Sequence, residues 1–121
     1  MRSPANILAI GRDSGLLEVR ALLLRSGGDS VTHAMALDAA KGIINSTHID
    51  LMVLCQTVPN GERMELILYM RAMMPQGKVL VLQRESAGDQ YARLAETLDV
   101  GEGPQKLLDT VDRILTTPVA G

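Results

Sequence analysis

The chain holds a single cysteine, Cys55, at the end of the run Asp50-Leu51-Met52-Val53-Leu54-Cys55. A thiol works as a nucleophile or redox sensor only as thiolate, which takes exposure and a nearby cation or helix N-terminus. Arg12 and Arg84, each just beyond another apolar run, are the cations expected near it. Against that stands burial as a small apolar filler, the commoner fate of a free cysteine and the expectation here. His33 and His48 are too scattered to build a metal site with one cysteine, and no metal or cofactor is expected. Met64, Met70, Met73 and Met74 fall on a helical pattern, where methionine fills core gaps or lines adaptable interfaces. The segment Gly11-Arg12-Asp13-Ser14-Gly15 has the look of a phosphate loop. It lacks both the Gly-Lys-Ser/Thr ending of a P-loop and the three-glycine dinucleotide fingerprint. A small anion near Arg12, at the start of a helix, is the most it offers.

These residues must be positioned by one domain. The chain has 121 residues, 46% hydrophobic and 21% charged, enough to bury a core and unlike a disordered tail. A net charge of −2 gives no reason to expect nucleic acid. With two Tyr and neither Trp nor Phe, the stacking platforms for single strands are missing and the core must be aliphatic. One cysteine excludes an internal disulfide and fits a reducing compartment. The opening Met1–Asn6 leads into an apolar run, Ile7 to Ile10, too short for a signal-peptide core or membrane span. The expected setting is cytoplasmic, with no membrane contact. No repeat or linker divides the chain, so residues 1–121 read as one domain with a core of about 6–116 and a frayed end from Thr116.

Short apolar runs alternate with longer helical patterns, the mark of βα units around a parallel sheet. Strands are expected at Asn6–Ile10, Ser30–Ala34 (weak, towards an edge), Leu51–Leu54, Lys78–Leu82 and around Leu98–Val100. A first helix runs from about Ser14, its N-cap, to Ser26, with Leu16, Val19 and Leu23 on one face and Gly27-Gly28 as the stop. A second spans Leu37–Asn45 and a third Gly61–Met73, ending ahead of Pro75. Tyr91, Leu94, Ala95 and Leu98 make an i, i+3, i+4, i+7 stripe for a fourth. Pro104 suits the first turn of a fifth, which buries Leu107, Leu108, Val111, Ile114 and Leu115 and leaves Thr110 exposed. Five strands and five helices in strict alternation suit a flavodoxin-like (βα)5 doubly wound sheet, whose ligands bind at the carboxyl ends of the strands.

Ile7–Ile10 with Leu16-Leu17, the stretch Asp50–Gly61 and Val79–Leu82, in that order and spacing, resemble response-regulator receiver domains over nearly the whole chain. The resemblance implies that the third strand should end in the aspartate that accepts phosphate from a histidine kinase; the residue there is Cys55. It implies an acidic pair after the first strand to hold Mg²⁺; those positions are Gly11 and Arg12, with only Asp13 acidic. A switch hydroxyl is implied after the fourth strand, where Gln83 stands, followed by Arg84. A lysine is implied after the fifth, where Val100–Gly103 contain none and Lys106 lies inside the next helix. Phosphoryl transfer depends on charge neutralisation and in-line positioning. With acceptor, metal ligands, hydroxyl and lysine all replaced, aspartyl phosphorylation is expected to be lost.

The expected function is therefore a receiver-like module of two-component signalling that is not an enzyme and acts by protein–protein contact. Its partner would be a histidine kinase, an output domain or a target protein. The family's dimer and output face, formed by helix four, strand five and helix five, corresponds to about Ala87–Leu115. The alternative is a thiol-based redox or modification sensor centred on Cys55. A weaker one is a small anion- or nucleotide-binding domain, by fold analogy alone.

Overall fold

In the computed structural model, which describes residues 2–84 and 94–117, strands and helices alternate from Asn6 to the fourth strand. The strands are β1 (Asn6–Ile10), β2 (Ser30–Ala34), β3 (Leu51–Leu54), β4 (Lys78–Gln83) and β5 (Glu96–Asp99). The helices are α1 (Ser14–Ser26), α2 (Leu37–Ser46), α3 (Asn60–Met73) and α4 (Pro104–Thr116), with one 3-10 turn at Val100–Glu102. Every neighbouring pair of strands is parallel, in the order β2-β1-β3-β4-β5. This is the expected doubly wound order. The chain leaves β1 for β2 on one side and reaches β3 on the other, so a crevice opens outside the carboxyl ends of β1 and β3.

Two aliphatic layers sandwich the sheet. Ile7, Ala9, Leu51, Val53, Leu80 and Leu82 face α1 and α4, against Leu17, Ala21, Leu24, Leu107, Val111 and Ile114. Leu8, Ile10, Met52, Leu54, Val79 and Val81 face α2 and α3, against Ala40, Ile44, Leu66, Ile67 and Met70. The alternation along each strand follows from the pleat. All four residues of β3 are buried, as an interior strand covered on both faces requires. At the sheet edge β2 leaves Ser30, Thr32 and His33 exposed, which accounts for its weak pattern.

Several boundaries differ from expectation. Asp13, not Ser14, caps α1: its Oδ1 accepts from the Leu16 N–H at 3.1 Å, and Asp and Ser are near-equal caps. The buried face of α1 is Leu17, Ala21 and Leu24; Val19 is 63% exposed, and Leu16 and Leu23 are half-buried. Apolar residues occur nearly all round this helix, so periodicity offers two faces, and the small Ala21 selects the one that approaches the sheet. Gly28, with φ of +96°, ends α1 in the left-handed region that favours glycine.

The fourth-helix stripe is not realised as read. Tyr91 lies outside the described residues, Leu94 and Ala95 form the turn into β5, and Leu98 is the buried residue of β5 itself. The fifth strand thus starts two residues earlier than expected, and Val100 opens the 3-10 turn. Only Leu98 in that edge strand is buried, too little apolar pattern to announce a strand. Gly103, with φ of +89°, turns the chain into Pro104 at the head of α4. On α4, Thr110 is buried rather than exposed, its Oγ1 donating to the Lys106 carbonyl at 2.7 Å, while Leu108 and Leu115 are only half-buried. A threonine that satisfies its own hydroxyl within the helix can face the core.

Candidate functional site

The crevice is walled by the turns after β1 and β3. Gly11 is buried, and its N–H donates to the Ala34 carbonyl at 3.2 Å. A Cβ added at Gly11 would stand 3.3 Å from the Cys55 Cβ and 3.3 Å from the Thr57 Oγ1. The two turns are therefore closely packed at this point, and a side chain at position 11 would need its neighbours to give by a few tenths of an ångström. Next to it, the Arg12 N–H donates to Thr57 Oγ1 at 2.8 Å, and the Arg12 guanidinium forms an ion pair with Glu62. Asp13 is committed to its helix cap.

Cys55, the first residue beyond β3, is 1% exposed, and its N–H donates to the Ile10 carbonyl at 2.8 Å. Burial pushes its thiol pKa up, against the opposing pull of Arg20 and, more weakly, Arg63. The Arg20 Nη1 donates to Gln56 Oε1 at 2.8 Å, and the Arg63 Nη2 donates to the Gln56 carbonyl at 2.8 Å. Arg63 is 6% exposed. Among the described residues, neither arginine is ion-paired. The cations that face Cys55 are thus Arg20 and Arg63, not Arg12, which is held by Glu62, or Arg84, which is exposed. Sequence reading missed both. For Arg63 a signal existed: Arg63, Leu66, Ile67 and Met70 form an i, i+3, i+4, i+7 stripe, and all four are buried. Arg20 carried none, since it lies at the margin of the α1 face.

Gln83 is the last residue of β4 rather than the first after it, and it is buried. Among the described residues, its Oε1 has no hydrogen-bond partner, nor does the Arg63 Nε. Cys55 packs in the layer that contains Leu82, whereas strand alternation directs Gln83 to the Val81 face. The structure brings Gly11 and Cys55 together, with Arg12 next to Gly11 and bonded to Thr57. Lys106 is exposed on α4.

Magnesium takes hard oxygen ligands in near-octahedral geometry. The residues here do not fit it: position 11 has no side chain, Arg12 is cationic, Asp13 caps α1, and Cys55 is a buried thiol. No group of three or more His, Cys, Asp or Glu side chains among the described residues is placed to hold a metal. His33 is exposed on β2, and His48 Nε2 lies 3.0 Å from Asp50 Oδ1. Of the methionines, Met70 is in the core and Met73 is 49% exposed. Cys55 has neither the exposure nor the lowered pKa that a thiol sensor requires, and Arg12, the residue expected to attract an anion, is already paired. No helix among the described residues is long and apolar enough to cross a membrane.

No protein-family model matches the chain, and no curated protein matches it in sequence. Solved structures do match in shape. A response regulator receiver domain protein (CheY-like) from Methanospirillum hungatei superposes with a TM-score of 0.81 at 19% identity, covering 93% of this chain and 94% of the other. The receiver domain of the hybrid histidine kinase CckA gives 0.75 at 22% identity, covering 92% and 99%. The receiver domain of a Pseudomonas aeruginosa sensor histidine kinase, with a magnesium ion coordinated in its active-site cleft, gives 0.80 at 16% identity, covering 95% and 100%. The chain has the fold of the CheY-like receiver domains.

Proposed function

We propose that this chain is a receiver-like signalling module of the two-component type that acts by protein–protein contact, without aspartyl phosphorylation and without enzymatic activity. The observation that carries the reading is the contact between Gly11 and Cys55. An acceptor carboxylate is absent at position 55, and the glycine beside it brings no metal-binding carboxylate. The receiver fold supports a signalling role, and the kinase receivers among its structural neighbours support a partner of that class. The partner is a histidine kinase, an output domain or a target protein met in the cytoplasm. Self-association, where it occurs, uses the face of β5 and α4, within the stretch Ala87–Leu115, of which residues 87–93 lie outside those described. Titration of the ¹⁵N-labelled protein with Mg²⁺ and beryllofluoride tests the reading. Amide resonances of Gly11, Arg12 and Cys55 are expected to stay in place; saturable shifts there would restore a working acidic pocket and overturn it.

A further inference from the structure

A cavity of about 270 Å³ lies between α1 and the β5–α4 connection, on the carboxyl side of the sheet. Its walls are largely aliphatic, with Leu23, Leu82, Leu98 and Leu107 among them. Two charged side chains also line it, Arg20 from α1 and Asp99 from the end of β5. Neither forms an ion pair with the other or with any other described residue. Arg20 spends one N–H on Gln56, and Asp99 uses Oδ1 to accept from the Gly101 N–H at 2.8 Å. Both keep further hydrogen-bonding capacity. A cation and an anion that share a cavity without pairing, above an aliphatic floor, are complementary to a molecule that carries both charges and an apolar body.

We propose that this cavity binds a small zwitterion with an aliphatic side chain, chemically a free branched-chain α-amino acid. The ligand carboxylate accepts from Arg20, the ammonium donates to Asp99, and the side chain enters among the leucines. A simple carboxylate would gain Arg20 but meet Asp99 as a like charge, and a simple amine would have the reverse difficulty. Glycine would satisfy both charges and leave the aliphatic walls bare. The volume lies below the ~300–1,000 Å³ of typical pockets for drug-sized ligands, which also points to a small molecule. Arg20 serves both this cavity and the surroundings of Cys55, but the proposal does not depend on the signalling reading, which rests on Gly11 and Cys55.

Titration of the ¹⁵N-labelled full chain with L-leucine tests it, with 4-methylpentanoate, 3-methylbutylamine and glycine in parallel. Leucine is expected to give saturable shifts at Val19, Leu23, Asp99, Val100 and Leu107. The three partial ligands are expected to bind weaker by about tenfold or more, the two singly charged ones for want of one charge-assisted hydrogen bond and glycine for want of a buried side chain. Arg20→Gln is expected to remove the preference for leucine over 3-methylbutylamine, and Asp99→Asn that over 4-methylpentanoate. Val100→Phe, in the cavity lining, is expected to block binding without altering either charge. Absence of saturable shifts with leucine, or equal binding of 4-methylpentanoate to the unaltered chain, would overturn the assignment.

Discussion

Burial and cations act against each other at Cys55. Loss of solvent raises the thiol pKa and the two guanidiniums lower it, with burial the larger influence. A carboxylate in its place would feel the same two cations. Cys55→Asp is therefore expected to fold, at a cost of about 1–2 kcal/mol, because Arg20 and Arg63 offset part of the desolvation. It is not expected to accept a phosphoryl group, since nothing at Gly11 or Arg12 replaces the metal that neutralises the developing charge. Chemical denaturation and intact mass after phosphodonor treatment check both halves; phosphorylation of this single variant at a receiver-like rate would mean the metal site is intact. At this scale the structure sets Gly11 against Cys55, two positions the sequence reading had singled out. Arg20 and Arg63 escaped because the burial of a long cationic side chain is decided by what packs over its stem, which spacing does not encode.

Gly77 shows how tightly the elements close on each other. A Cβ there would lie 2.5 Å from the Met70 Cε and 3.1 Å from the Ile49 carbonyl oxygen, joining α3 to the turn before β3. The methionine tip can swing away, but the backbone carbonyl cannot. Gly77→Ala is expected to destabilise by about 1–3 kcal/mol through overpacking, read as a lowered denaturation midpoint at unchanged m-value. Most elements were legible from period and punctuation. Pro75 and Gly27-Gly28 end helices where expected, and β3 reads as a buried strand because it is one. The failures have physical causes. The face of α1 was ambiguous because apolar residues surround it, and Leu98 fits a helical stripe and a strand equally well until β4 pairs with it. Neither choice is local.

At the scale of the molecule, the N-terminal segment is fastened to the opposite end of the sheet from the crevice. Arg2 donates through Nη1 and Nη2 to both carboxylate oxygens of Asp29, at 2.6 and 2.8 Å, and its Nε reaches Asp112 of α4 at 2.9 Å. The Ala5 N–H also donates to Asp29, whose side chain is 2% exposed. The Arg2 hydrogen bonds lower the Asp29 pKa, against the effect of burial. A carboxylate with a depressed folded-state pKa contributes in full above its unfolded value, about 3.9. That contribution fades as pH falls through the folded-state value. Asp29→Asn is expected to cost about 2 kcal/mol at neutral pH, and the gap between variant and parent should narrow below about pH 4. Melting curves across pH check this; a gap independent of pH would remove the linkage. At the α4 surface, Lys106→Glu and Asp109→Lys change exposed positions and are expected to disrupt any self-association, whereas Asp38→Lys on α2 is not. Mass in solution by light scattering decides between those faces.

The central claim joins a receiver fold to an edge unable to take phosphate, and intact mass tests it directly. The protein is incubated at neutral pH with acetyl phosphate and Mg²⁺, then measured without acid or heat that would hydrolyse an acyl phosphate. An unchanged mass is the result expected from Gly11, Arg12 and Cys55; a stable adduct of one phosphoryl group would contradict it.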